Sequence, residues 1–464
     1  DLNNWVGCLG GHPQARSPNI DRLAERGTLF SNAHCQAPIC NPSRVSMLIG
    51  RLPSTTGMYF LGPNFRTVEP TASAETLFQT FRQAGYYVST RGKIFHGPAD
   101  AASCDHVEPN TGWRRGAEKI AYTQPGSHPL WDWGQVDVPD DQQRDYLTAK
   151  WSGEELPRLA KRDQPFFLAV GFHLPHVPIY ASKKWFDLYP IDSVMLPETL
   201  ATDRQDLPSI AKSLTLNSTA PRHRWMVDHN QWRHAVQAYL ATNTFVDSLV
   251  GMVLDGLSAS GASDNTVVVL WSDHGFHLGE KLRWAKRTLW RETTRVPLIM
   301  SGPGCSPGGL CPRPVGLIDV YPTLLDLCDL PPREVLEGQS LRPLLKDPSA
   351  SWDRPALCTF GPNNHSLCDE RYHYIAYADG SEELYDLQID PNEFENLITR
   401  YGKGAVGSEP LANVVARLRQ SLPKINADPL PGSAGSDSPL YGEGGDVTLQ
   451  EAMRRGASQA GGKK

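Results

Sequence analysis

Between Trp232 and Leu257 the apolar residues Val236, Tyr239, Leu240, Phe245, Leu249, Val253 and Leu257 recur at helical spacing. A few residues later Thr266-Val267-Val268-Val269-Leu270-Trp271 runs apolar without a break. The first pattern gives a helix one apolar face; the second, β-branched and continuous, suits a strand covered on both sides. The same succession occurs earlier. Pro18-Asn19-Ile20-Asp21-Arg22-Leu23-Ala24 reads as a helix start with Asn19 as a cap, and Phe166-Phe167-Leu168-Ala169-Val170-Gly171 reads as a buried parallel strand. Helices alternating with buried strands imply an α/β domain on a mainly parallel sheet.

The pattern changes after Pro348. Tyr372–Tyr377 and Glu383–Asp386 read as short antiparallel strands joined by a turn at Asp379-Gly380. A main domain over residues 1–349 and a smaller α+β domain over 350–464 follow, and 464 residues suffice for two cores. The Gly-, Ser- and Pro-rich tail after Ala427 reads as irregular chain. A net charge of −6 argues against a general nucleic-acid binder, so an anionic substrate needs a local basic pocket. No apolar run is long enough to span a membrane. The chain opens at Asp1 without an initiator Met, which leads us to expect preceding sequence. The nine cysteines are scattered, with no close pair of the kind a zinc knuckle uses. Cys305 and Cys311 flank a Gly/Pro-rich loop and read either as a small disulfide or as two free thiols.

The chemistry concentrates in Cys40-Asn41-Pro42-Ser43-Arg44. Pro42 suits a first helical turn, which puts Cys40 at a helix N-terminus, where free N–H groups favour anions and a thiolate. Arg44, four residues on, shares its face. A nucleophile beside a cation at such an end can process an anion. A lone Cys in that setting is more often a buried structural residue.

With Leu48-Ile49-Gly50 behind it, the segment resembles the maturation signal of the formylglycine-dependent sulfatases, although Ile49 stands where that family usually has Thr. The likeness extends from residue 1 to about residue 400. Asp1-Leu2 is similar to the second half of the family's metal-binding Asp pair, and Ser17–Gly27 and Phe30–Ala33 to its first helical region. Gly92-Lys93-Ile94-Phe95-His96 resembles the segment carrying a lysine and a histidine to the nucleophile. His173-Leu174-Pro175-His176 resembles the loop whose second His meets the sulfate. Trp271-Ser272-Asp273-His274 looks like the second metal pair, Trp284-Ala285-Lys286 like the segment of the last lysine, and Leu384–Glu393 like the C-terminal domain.

The resemblance implies an alkaline-phosphatase-like α/β sandwich with a mainly parallel central sheet, plus a smaller C-terminal domain with a short antiparallel sheet. It implies a sulfatase, with Cys40 converted to formylglycine by a formylglycine-generating enzyme. It implies a cation, calcium before magnesium, held by Asp1, Asp273, His274 and residue 40. Arg44, Lys93 and Lys286 would supply positive charge. His176 or Lys286 would protonate the leaving oxygen, and His96 would take a proton during release of sulfate. By the same likeness the protein is expected to be exported, whether periplasmic, secreted or lysosome-like.

Asp273-His274, His173-x-Pro175-His176 and Trp284-Ala285-Lys286 follow the pattern of the iduronate-2-sulfatase branch and its bacterial relatives. A sulfated, uronate-containing saccharide is the implied substrate. His173, Trp290, Arg291, Asn364 and His365, with neighbouring Asn363, are the sugar-contact candidates; simple turn chemistry is the plainer reading of residues 363–365. The family often has an Arg where Leu367-Cys368 stand. A phosphonate monoester or phosphodiester hydrolase of the same superfamily is the first rival, and a glycan-binding pseudoenzyme the second.

Overall fold

The structure is a computed structural model describing residues 1–433, apart from 117, 122, 215–219, 403, 407 and 408. The tail expected to be irregular falls, from residue 434 onward, outside the described residues. The helices that frame the site are α1 (Pro18–Arg26), α2 (Cys40–Ile49), α3 (Leu77–Gln83), α4 (Arg144–Leu159), α5 (Trp232–Ser260) and α6 (Leu411–Arg419). Among the strands of the main domain are β1 (Gly27–Phe30), β2 (Tyr87–Gly92), β3 (His106–Val107), β4 (Trp133–Val136), β5 (Phe166–Gly171), β6 (Ile179–Ser182), β7 (Val268–Trp271), β8 (Leu298–Ser301) and β9 (Gly309–Cys311). The second domain carries β10 (Ala356–Thr359), β11 (His365–Cys368), β12 (Tyr372–Ala376) and β13 (Glu382–Asp386).

Helix α5 ends at Gly261, whose φ of +75° is open to glycine. It packs on α4 through a glycine contact: a Cβ on Gly256 would lie 2.4 Å from the Gly153 Cα, so position 256 has no room for a side chain. Asn19 does not cap α1 as its side chain suggested. Ser17 holds the cap position, and Pro18 leaves the N–H groups of Asn19 and Ile20 as the first free donors. Both go to the Asp247 carboxylate of α5, at 3.0 and 2.8 Å.

The sheets are mixed. β2 runs parallel to β3 and β5, β4 to β6, and β1 to β9. β8, however, is antiparallel to both β1 and β7, one reversed strand in an otherwise mainly parallel arrangement. The chain returns from β7 to β8 through residues 272–297, which contain a hairpin rather than a crossover helix, and a return of that kind reverses strand direction. β5 and β7 are also less covered than their apolar sequences suggested. A cavity of about 270 Å³ lies beside them, lined by Phe166, Leu168, Val170, Val268, Leu270 and Leu254 among others.

In the second domain the order is β10-β11-β12-β13, all antiparallel, with Gly380 in the turn at φ +85°. Alternate residues face opposite ways. Tyr372, Tyr374 and Leu384 pack on Leu411, Val414 and Leu418 of α6. Ile375, Tyr377 and Tyr385 join the main core. All nine cysteines are free thiols, Cys305 and Cys311 included. Among the described residues no helix is long and apolar enough to cross a membrane.

Candidate active site

Cys40 is the first residue of α2 and is buried. Around its Sγ stand Lys286 Nζ at 3.1 Å, His274 Nε2 at 3.2 Å and Lys93 Nζ at 3.9 Å. Burial alone would raise the thiol, but Lys286, Lys93 and His274 together hold it well below its ordinary value. Burial lowers Lys93 to about 8, and the Cys40 charge opposes that.

Local backbone explains how Lys93 arrives there. Gly92 turns the chain out of β2 at φ +87°, and the Lys93 N–H bonds Gly171 O at 2.8 Å. A side chain on Gly171 would lie 2.3 Å from the Lys93 backbone. Arg44, one turn into α2, donates Nε to Asp273 Oδ2 at 2.8 Å and Nη1 to the carbonyls of Lys93 and Ile94 at 2.5 and 2.9 Å. One guanidinium thereby joins the segment after β2 to the end of β7.

Asp273 and His274 follow β7. Asp273 is buried, yet Arg44, then His274 and Lys93, outweigh burial and keep its carboxyl well below the usual range. The Asp1 backbone nitrogen donates to Asp273 Oδ1 at 2.8 Å, while Asp1 Oδ1 accepts from Lys286 at 2.7 Å. His274 Nδ1 lies 2.9 Å from Gly275 O. A carbonyl can only accept, so Nδ1 carries the proton and Nε2 keeps a lone pair facing Cys40. Burial lowers this imidazole to about 4.

The carboxylate of Asp1, Sγ of Cys40 and Nε2 of His274 offer ligand atoms within 4.8 Å of one another, all buried. A carboxylate, an unprotonated imidazole nitrogen and the residue-40 side chain form a buried donor group compatible with a divalent cation, with Asp273 alongside.

His176 Nδ1 lies 2.6 Å from Val177 O, which by the same reasoning leaves Nε2 for the Cys40 side. Burial, then Lys93 and Lys286, hold the ring well below its usual value. His96 is lowered mainly by burial and feels Cys40, Lys93, Lys286 and Arg44, so it belongs to the same charge cluster. His173 is held by Asp145, which accepts from the N–H groups of His173 and Leu174 at 2.8 Å each and lies 3.3 Å from the His173 ring.

The remaining sugar-contact candidates lie elsewhere. Trp290 is fully buried and donates to Glu383 at 2.9 Å, at the junction with the second domain. Arg291 donates its N–H to Glu393 and Nη1 to Pro391 O. Asn364 is buried and bonds Pro362 O and the Ala378 N–H. His365 is buried with its two ring nitrogens on Thr359 and Asn426. Trp290, Asn364 and His365 therefore have their polar atoms satisfied inside the protein, and the turn reading of residues 363–365 is the one their contacts follow.

Sequence reasoning missed Ser43, whose hydroxyl donates to Asp273 O, and Asp145. It also missed the pocket next to His173 and His176, lined by Trp113, Arg114 and Arg144. The adjacent arginines at 114 and 115 were the only sequence signal there.

Compared with known proteins, residues 3–330 match the family model described as Sulfatase. Residues 279–426 match the one described as N-sulphoglucosamine sulphohydrolase, C-terminal. A sulfatase of Formosa agariphila is 36% identical over 92% of this chain and 85% of its own length. Iduronate 2-sulfatase of Mus musculus is 31% identical over 85% of this chain and 74% of its own. Among solved structures, the phosphonate monoester hydrolase of Agrobacterium radiobacter superposes with a TM-score of 0.73 at 20% identity, over 91% of this chain and 94% of that one.

Proposed function

This chain belongs to the sulfatase family and is a sulfuric ester hydrolase, and on that premise we propose that it removes a 2-sulfate from a uronate-containing saccharide. The observation that carries the site assignment is the buried Cys40 at the start of α2, with Lys286, Lys93 and His274 gathered on its sulfur. Asp273-His274, the His173–His176 loop and Trp284-Ala285-Lys286, together with the likeness to iduronate 2-sulfatase, support the substrate class.

In this reading the Cys40 sulfur stands where the oxygens of a formylglycine hydrate belong, and that hydrate supplies the hydroxyl that attacks sulfur. Asp1, Asp273, His274 and residue 40 would hold the cation, calcium by preference, and such an ion would supply Lewis-acid polarisation of a sulfate oxygen. The protein's own part is charge and position. Lys93 and Lys286 meet the sulfate oxygens, and Arg44 fixes Asp273 while tying down the Lys93 backbone. His176 Nε2 or Lys286 Nζ delivers the proton to the leaving oxygen. His96 handles a proton during sulfate release. A domain boundary near residue 350 and an exported location complete the proposal.

A phosphonate monoesterase is the second reading, favoured by the TM-score of 0.73 to an enzyme of that kind. Turnover of a 2-sulfated uronate disaccharide, nitrophenyl sulfate and a phenyl phosphonate monoester decides between them. The disaccharide should be the best of the three, with residue 40 carrying the aldehyde by peptide mass spectrometry. A large preference for the phosphonate would replace the reading. Full activity with Cys40 entirely unmodified would remove the nucleophile assigned here.

A further inference from the structure

Beside His176 the protein forms a second basic pocket. Trp113, Arg114, Arg144, Asp145, His176 and Tyr180 are among the residues that line it. His176 is shared with the Cys40 cluster, so a group bound here sits next to the sulfate. The pocket is small, about 30 Å³, room for a planar substituent rather than a ring.

Its charge is unbalanced. Arg114 is half-buried beside Arg144, and among the described residues neither forms an ion pair with a carboxylate. The Arg144 Nε is shut off from solvent without a hydrogen-bond partner. The one nearby carboxylate, Asp145, is engaged by the His173 and Leu174 N–H groups and the His173 ring. Burial lowers Arg114, and Arg144 adds to that effect. Two guanidiniums share the one Asp145 carboxylate, which is already bonded by His173 and Leu174, so the pocket keeps a net positive charge that an external anion completes.

The pocket is also built rather than incidental. The Trp113 N–H bonds Gln142 O at 2.8 Å and the Arg144 N–H bonds Trp113 O at 2.9 Å, stitching the Arg114 segment to the start of α4. The Trp113 ring packs 5.9 Å from that of Tyr180.

We propose that Arg114 and Arg144 bind the carboxylate of the sulfated uronate, and so select an acidic sugar over a neutral one. This rests on the sulfatase reading of the Cys40 site and names a specificity determinant within it. Planar guanidinium forks suit a carboxylate's two oxygens, and a sugar seated by both groups has its sulfate fixed in direction.

The test uses three substrates: a 2-sulfated uronate disaccharide, the same disaccharide with its carboxyl reduced to the alcohol, and the uronate disaccharide carrying a second sulfate. The readout is the ratio of kcat/KM between uronate and carboxyl-reduced substrates. It should fall roughly 10- to 100-fold in Arg114→Ala and Arg144→Ala, through KM, on the scale of one lost charge-assisted pair. Arg114→Lys should keep part of the preference. Damage to the fold would lower both substrates and leave the ratio unchanged, so an unchanged ratio in a folded variant overturns the proposal. A wild-type enzyme indifferent to carboxyl reduction but dependent on the second sulfate also overturns it, assigning the arginines to sulfate. In both cases sulfate release continues and the sulfatase reading stands. Inactivity on every sulfate, with phosphonate hydrolysis retained, would instead remove the reading beneath it.

Discussion

His176 and His274 show how a single backbone carbonyl sets what an imidazole can do. Each gives its Nδ1 proton to a neighbouring carbonyl, Val177 O and Gly275 O, and each turns Nε2 toward residue 40. For His274 that lone pair suits a cation. His176 lies outside the Asp1–Cys40–His274 ligand group, with its ring bonded to residue 40. If it protonates the leaving oxygen, its removal matters most where the leaving group is poor. A sugar alkoxide needs a proton to depart, whereas a nitrophenolate does not. His176→Ala should therefore lose about 10²–10⁴-fold on a sulfated sugar and far less on nitrophenyl sulfate, read as the ratio of the two rates. Equal losses would assign the proton to Lys286, and Lys286→Ala would then carry the leaving-group dependence.

Helix α1 has no side chain of its own to close its N-terminus. Asp247, from the middle of α5, accepts from the N–H groups of Asn19 and Ile20 and from the Asn19 amide. A cap from a distant element joins two helices as well as satisfying donors, so its loss is felt in the whole main domain. Asp247→Ala should lower unfolding stability by about 2 kcal/mol, combining a lost cap with buried unpaired N–H groups. Asp247→Asn keeps an acceptor and should recover most of that. Urea denaturation measures both, and an Ala variant as stable as the parent would show that water replaces the carboxylate.

The two domains meet through buried acids of the second one. Glu383 accepts from Trp290, Tyr377 and Tyr385, and Glu393 accepts from the Arg291 N–H and is held against His373. Glu292 faces this junction without a partner for its enclosed Oε2. Burial, then the Glu393 and Glu280 carboxylates, push it up to about 8. A carboxyl raised in the folded state binds its proton more tightly there than in the unfolded chain. The resulting stability is present below the ordinary Glu range and is lost as pH rises through about 8. Thermal stability should therefore fall as pH rises from about 5 through about 8, and Glu292→Gln should flatten that decline and raise Tm at the alkaline end. An identical slope in the variant would place the titration elsewhere.

Much of the site was legible because its parts are local. Cys40 and Arg44 share a helical turn, Lys93 follows a strand end, and Asp273-His274 close another; spacing along the chain carries such relations directly. The α5 pattern, β12 and β13 and the turn at Gly380 were legible for the same reason, since periodicity belongs to neighbours in sequence. Trp290, Asn364 and His365 read as sugar contacts because polar and aromatic loop residues look exposed until the chain is packed. Asp145, Arg114 and Arg144 carried no motif, for their relation to His173 and His176 exists only where α4 meets the 173–178 loop. The reversal of β8 was hidden too, since a strand's composition does not state its direction. The sequence by itself determined which residues can do the chemistry and which helices and strands present them. Only the tertiary structure decided which distant groups meet, which polar atoms are already satisfied and which charges are left unbalanced, because burial and pairing are properties of the packed chain.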